Sequence, residues 1–318
     1  MSKILITGAT GFVGKELVPA LIQLGHEVRC VVSKKVEWLE TEQVVMKRLE
    51  FETDWSQALI GIDVVIHLAA RVHIMKEKTK SALDEYYKIN AIATKNLAEE
   101  ATKHQVKRFI FLSSIKVNGE LTVDGTSFSE ETKAAPEDPY GQSKLYAEQF
   151  LHEISQNSPM EVVIVRPPLI YGPGVKANFL KMLQLVRKRI PLPFASVQNK
   201  RHFIYIENLV SALSILVTHP EAANQTYLVA DEDSLSVPTL MRLIAKEMNT
   251  RVWLIPFPVP VMRYIFQFLG MRNLNTRLFS SLEINSNKIK SQLGWTPPVS
   301  SVEGLKKTVA WYQSEFNS

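Results

Sequence analysis

Tyr140 and Lys144 stand four residues apart in Tyr140-Gly141-Gln142-Ser143-Lys144, so on a helix the phenol and the ammonium share one face. A free tyrosine, with a pKa near ~10, is a poor base at neutral pH, and a neighbouring ammonium favours its phenolate. Such a pair can give or take a hydroxyl proton while a hydride moves beside it. Alone, the spacing is common on solvated helices. A third group strengthens it. The apolar run Phe109-Ile110-Phe111-Leu112 ends in Ser113-Ser114, and loops that follow strands are where α/β folds place ligands, so Ser114 can donate to the same substrate oxygen.

A second constellation supplies the hydride partner. Ile4-Leu5-Ile6-Thr7 runs directly into Gly8-Ala9-Thr10-Gly11-Phe12-Val13-Gly14 and then into a helical pattern. Glycines suit a tight turn, close approach of backbone to a pyrophosphate, and close packing of helix on strand, while the helix N-terminus offers unpaired N–H groups. Gly8, Thr10, Gly11, Phe12, Val13 and Gly14 are therefore expected to hold a dinucleotide; a glycine turn without a ligand is the plain alternative. At the adenosine end the next strand, Val28 to Val32, closes on Ser33-Lys34-Lys35 and offers no carboxylate for the ribose hydroxyls. Ser33 and Lys34 suit a 2'-phosphate, which favours NADP(H) with NAD(H) possible, against the reading that both lysines are merely solvated.

These residues need elements to position them. Lys3 to Thr7, Glu27 to Val32, Asp63 to Leu68, Arg108 to Ser113 and Val162 to Arg166 read as buried strands; Gly14 to Leu24, Ala82 to His104 and Tyr140 to Gln156 carry apolar residues at helical spacing. The alternation predicts an α/β fold, a doubly wound parallel sheet of the Rossmann kind over residues 1–167. Pro167, Pro168, Pro173, Pro191 and Pro193 then break the rhythm, and residues 168–318 are expected to form a smaller substrate-binding lobe whose segments can return to the first domain.

Composition narrows the class. With 318 residues, 46% apolar and 22% charged, the chain can bury a large core. The formal charge of +5 suits anionic ligands, but its basic residues are scattered, which argues against nucleic acid. Cys30 is the sole cysteine, so neither an internal disulfide nor a cysteine-rich metal site is possible; no metal is expected, and a cytoplasmic location follows naturally. Val252 to Leu269 is the most membrane-like stretch, but Pro256, Pro258, Pro260 and Arg263 interrupt it. It reads as an apolar cover over a ligand pocket in preference to a dip into a membrane surface, and no span is expected.

The G-x-x-G-x-x-G loop, the Ser/Tyr/Lys set, Asp63-Val64-Val65-Ile66-His67-Leu68-Ala69-Ala70 and Asn90 together resemble the extended short-chain dehydrogenase/reductases, specifically the NAD-dependent epimerase/dehydratase family of the UDP-glucose 4-epimerase kind. Arg166-Pro167-Pro168-Leu169-Ile170-Tyr171-Gly172-Pro173 resembles that family's passage from cofactor to substrate pocket. The resemblance implies a catalytic role for Ser114, Tyr140 and Lys144. It adds cofactor contacts at Leu68, Ala69, Ala70, Asn90, Ser113, Tyr140, Lys144 and Pro167, and substrate contacts at Lys116, Asn178, Arg201, Arg277 and Leu282. His67 is read as a packing residue. The family's dehydratases carry an Asp-Glu pair where this chain has Ile115-Lys116, so dehydration is not expected. What remains is chemistry at C4 of a UDP-sugar. The favoured expectation is reduction of a UDP-4-keto-6-deoxy-N-acetylhexosamine for surface polysaccharide, the alternative a UDP-glucose or UDP-N-acetylglucosamine 4-epimerase, and the second alternative a non-catalytic NADP-sensing protein. The resemblance also implies a homodimer pairing through the helices around 82–104 and 140–156.

Overall fold

The computed structural model describes residues 1–46, 53–71 and 80–316. Its strands are β1 Lys3–Thr7, β2 Glu27–Val32, β3 Glu42–Val45, β4 Val64–His67, β5 Arg108–Leu112, β6 Glu161–Arg166, β7 Leu169–Tyr171, β8 Pro191–Leu192, β9 Phe203–Tyr205, β10 Gln225–Leu228 and β11 Trp253–Leu254. Seven of them make one parallel sheet in the order β10-β6-β5-β4-β1-β2-β3. The five expected strands are all present, two with the expected bounds and three with ends shifted by one residue. β3 was not foreseen, because Glu42-Gln43-Val44-Val45 is half polar; it is an edge strand, pinned to β2 by the Arg29–Glu42 ion pair at 2.8 Å.

Alternation along each strand feeds two cores. Ile4, Ile6, Cys30, Ile66 and Ile110 face one layer, while Leu5, Val31, Val65, Phe109 and Phe111 face the other. The helices of the first half are α1 Phe12–Gln23, the short α2 Ser56–Leu59, α3 Lys80–Tyr86, α4 Ala93–Lys103 and α5 Pro139–Asn157. The helix expected over 82–104 is broken by a π-helical segment, Tyr87–Ile92. The wider turn brings Asn90, 1% exposed, inward.

Later come α6 Ala177–Arg187, α7 Ile206–Thr218, α8 Val237–Glu247, α9 Val259–Phe268, α10 Arg272–Phe279, α11 Asn287–Leu293 and α12 Ser301–Phe316. Although they follow residue 168, β10 extends the main sheet beside β6 and α7 packs on α1, so part of the second half completes the first layer system. β8 and β11 pair with each other, and β7 with β9. The stretch 252–269 covers the core with one side only: Met262 and Phe266 pack inward, whereas Tyr264 and Phe268 project outward. Its outward side departs from the expected cover, because apolar residues occupy most of the circumference of α9, interrupted by Arg263 and Gln267.

Candidate active site

The carboxyl ends of β1, β2, β4, β5 and β6 line one edge of the sheet, and the order reverses between β1 and β4, the switch point where such sheets bind ligands. Gly8 follows β1 with φ of +75°, and a Cβ there would sit 2.8 Å from the Ala69 nitrogen. A Cβ on Gly14 would lie 2.6 Å from Ala9 Cα, so α1 can approach β1 only without one. The Gly11 N–H donates to Gly8 O at 2.9 Å, and no side chain caps α1, whose first N–H groups point out of the loop. Thr10 and Gly11 are exposed at its tip, Phe12 is half-buried, and Val13 is a core residue whose contribution to the loop is backbone. Leu68, Ala69 and Ala70, half-buried, form the facing wall after β4; Ser33 and Lys34 are exposed just past β2. This bare backbone cradle fits a dinucleotide pyrophosphate. Gly14→Ala is expected to lower dinucleotide affinity more than roughly tenfold in a calorimetric titration, since Ala9 backbone must move; unchanged affinity would refute the assignment of the cradle.

Asp138 caps α5, accepting from the Gly141 N–H at 2.7 Å, and Pro139 follows at the first helical position. The cap starts the helix so that Tyr140 lies in its first turn and Lys144 one turn later. A Cβ on Gly141 would lie 2.9 Å from Lys116 O, so this turn sits against the turn after β5 that carries Ser114. Ser114 caps that 3-10 turn, accepting from the Lys116 N–H at 3.3 Å. Lys144 is 1% exposed, donates to Leu112 O at 2.7 Å and lies 4.3 Å above the Phe111 ring. Burial pulls its ammonium down to about 7, with Glu148 opposing. The Tyr140 ring keeps some exposure and meets the Tyr86 ring edge-on at 6.3 Å, while enclosure of its hydroxyl, reinforced by the Asp138 charge, holds the phenol well above its ordinary value. On that account Tyr140 keeps its proton at neutral pH.

Several partners escaped sequence reasoning. Asn90 accepts from the Arg71 N–H at 2.7 Å and donates to Arg71 O and to Ser143 Oγ at 3.0 Å each, tying the β4 loop to α5. Ser113 is buried and its hydroxyl donates to Glu148, which also takes both Nε and Nη2 of Arg166; Arg166 Nη1 reaches Asn118 Oδ1 at 3.0 Å. The Ser113 side chain thus faces this internal network and its N–H donates to Val165 O at 2.7 Å, so neither is turned to a cofactor as expected. Pro167 is buried, and its carbonyl accepts from the Ile115 N–H at 2.9 Å. His67 is a packing residue: Thr94 gives its proton to Asn90 O, so the network assigns the ring hydrogen to Nε2 and Nδ1 accepts from Thr7 at 2.6 Å. Burial drives its pKa down to about 3, keeping it neutral. The Asp-Pro pair before Tyr140 was a readable cap signal; the Glu148 network joins residues far apart in sequence and had none.

Of the residues expected to touch substrate, Lys116 pairs with Glu120 at 2.7 Å and with Asp138. Asn178 is the second residue of α6, directly after Ala177, whose φ of +53° is a strained left-handed conformation. Arg201 donates to Ser280 O at 2.7 Å, and burial together with the Arg277 charge lowers it to about 10. These two guanidiniums are near enough to repel, which an anion between them would relieve. Leu282 is buried in a small apolar cluster with Ile115, Leu228, Ala230 and Ile284.

A model of the NAD dependent epimerase/dehydratase family matches residues 4–230. A protein of Vibrio cholerae described as UDP-glucose 4-epimerase is 41% identical over 307 residues, 96% of this chain and 94% of that protein. The human dTDP-D-glucose 4,6-dehydratase is 26% identical over 99% of this chain and 91% of its own length. Among solved structures, UDP-glucuronic acid 4-epimerase from Bacillus cereus in complex with NAD superposes with a TM-score of 0.79 at 22% identity, covering 99% of both chains. At that identity the superposition speaks for the fold alone.

Proposed function

The chain belongs to the NAD dependent epimerase/dehydratase family and carries its nucleotide-sugar chemistry, and from this premise we propose that it reduces a UDP-4-keto-6-deoxy-N-acetylhexosamine at C4, for surface polysaccharide. The observation that carries reduction is the end of β2, where exposed Ser33, Lys34 and Lys35 replace the carboxylate expected of an NAD site and favour NADP(H). A bound nicotinamide supplies or accepts the hydride. Tyr140 gives its proton to the C4 alkoxide, Ser114 donates to the same oxygen, and Lys144 holds the phenolate that results. Ile115, buried among Leu282 and its neighbours, carries no proton, and Lys116 is ion-paired, so the turn after Ser114 lacks the acid and base that elimination at C5 and C6 requires. Arg201, Arg277 and Asn178 are assigned to the diphosphate and nucleoside side, where an arginine fork suits phosphate oxygens.

A second reading, 4-epimerisation of a UDP-hexose, is supported by the Vibrio cholerae relative at 41% identity. It uses the same Ser114, Tyr140 and Lys144. Incubation with UDP-glucose, UDP-N-acetylglucosamine and the 4-keto sugar separates the two. NADPH consumption with the keto sugar alone is the expected result; rapid interconversion of C4 epimers without added cofactor would replace reduction by epimerisation. No turnover in any arm, with NADP still bound, would leave a sensing protein. Lys34→Glu is expected to lower kcat/KM for NADPH about tenfold relative to NADH, roughly the 1.4 kcal/mol of one lost phosphate contact. An unchanged ratio would remove the 2'-phosphate assignment. The reading includes a homodimer through α4 and α5; light scattering that finds a monomer at micromolar concentration would exclude it.

A further inference from the structure

A surface helix ordinarily turns only its polar side to water, whereas α9 turns an apolar face there beside exposed Arg263 and Gln267. Val261, Tyr264, Ile265 and Phe268 follow the i, i+3, i+4, i+7 spacing of one helical face, and all four are exposed, Tyr264 to 71% and Phe268 to 82%. The opposite side is already used: Met262 is buried, and Phe266 meets Phe279 at 5.5 Å. Leu269 and Met271 continue the outward face, and Trp253, Ile255 and Phe257 add exposed rings and a branched chain just before α9.

A neighbouring segment lies against this one. Trp253 pairs with Pro191 in the β8–β11 sheet, the Ile255 N–H donates to Leu192 O at 2.8 Å, and the Phe257 N–H to Ser196 Oγ at 3.1 Å. Exposed Lys188, Arg189 and Ile190 therefore stand next to Trp253, with Arg251 two residues before it. Charge is segregated along the chain here. Residues 167–206 and 248–282 together hold eleven Lys and Arg and not one Asp or Glu, which leaves 26 basic against 32 acidic residues in the rest of the chain. Arg201 and Arg277 belong to the substrate side, so this cationic region joins the pocket to the apolar face.

We propose that the α9 face, with Trp253 and the Lys188–Arg189 turn, docks the enzyme on an anionic membrane surface. Apolar aromatic side chains in the middle and long cationic ones around them are what the headgroup boundary of such a bilayer accepts: the rings enter the boundary, and the lysines and arginines meet lipid phosphates. Among the described residues no helix is long and apolar enough to cross a membrane, so attachment is peripheral and reversible. An acidic protein surface or a second copy of this chain is the competing occupant. A second copy would bring the same cations against one another, which disfavours it.

The test is co-sedimentation of the full chain with vesicles of phosphatidylcholine alone and with about one third phosphatidylglycerol. Binding to the anionic vesicles is expected to exceed that to neutral ones by roughly tenfold or more and to fall on raising NaCl from about 0.05 to 0.5 M. The double variant Phe268→Ser, Leu269→Ser, checked for an unchanged Tm, is expected to lose most of this binding, and Lys188→Ala, Arg189→Ala to weaken it several-fold. Equal partition with both vesicle types, or binding indifferent to Phe268 and Leu269, would overturn the proposal. So would a shift from dimer to monomer in the Phe268 variant without any vesicle binding by the parent, since a second copy would then be the occupant. These readouts use no sugar substrate, so they stand or fall apart from the reaction assigned above.

Discussion

Tyr140→Phe is expected to lower turnover of the nucleotide sugar about 10²–10⁴-fold while the affinity for the dinucleotide changes less than about threefold. The reason lies in the separation of roles. The cradle proposed for the dinucleotide is built from Gly8, Gly11, Gly14 and the wall at Leu68 to Ala70, apart from the phenol. The lost oxygen leaves a ring that still meets Tyr86 edge-on at 6.3 Å, so α5 keeps its seat. Neither His67 nor Lys116 can carry the proton in its place. His67 is neutral and locked between Thr7 and Thr94, and Lys116 is paired with carboxylates. Single-turnover kinetics together with a dinucleotide titration checks this: turnover within fivefold of the parent would remove Tyr140 from the chemistry, whatever the sugar.

Lys144→Met should do two opposite things. Catalysis is expected to fall on the order of 10²-fold or more, because the phenolate loses its supporting ammonium. Stability is expected to rise near pH 6.5, by on the order of 1 kcal/mol or more, because the substitution removes an ammonium that burial disfavours. The sign follows from Lys144 being held down to about 7 by burial, against an ordinary value of 10.5. Between those two values the unfolded chain carries a proton that the folded chain has released, so the parent gains stability as pH rises through that window. Below about 7 the buried ammonium is present and its full penalty applies. Methionine carries no proton, so the stability advantage of the variant is expected to shrink from pH 6.5 to 9.5. Glu148 is not orphaned by the change, since Arg166 and Ser113 still hold it. Thermal melts of both proteins at the two pH values decide the matter: a pH-independent difference would mean that Lys144 does not carry the perturbed titration.

Both predictions concern residues that were readable from sequence, and the reason is range. The glycine loop is a local turn between one strand and one helix, and Tyr140 and Lys144 share one face of a helix a single turn apart; both patterns are fixed within a few residues by backbone geometry. The buried strands of the parallel sheet were readable for a similar reason, since runs such as Phe109 to Leu112 must be covered on both faces. β3 escaped because its stability comes from the neighbouring strand and from Arg29, and its own composition is half polar.

Tertiary structure alone decided the rest. Only folding brings Glu148 against Ser113 and Arg166, or sets the charge of Arg277 near Arg201, because those pairs are distant in the chain. Only folding sends the Asn90 side chain through a π-helical turn to hold Arg71 and Ser143. For α9, periodicity could not choose a buried side, since apolar residues fill most of its circumference beside the Arg263–Gln267 stripe; packing on Phe279 took Phe266, with Met262 buried beside it, and left Tyr264 and Phe268 facing outward. The sequence by itself determined which groups can move a proton and cradle a pyrophosphate. The fold determined which of them are desolvated, which are held, and which face the solvent, because burial and long-range contact are properties of the assembled chain.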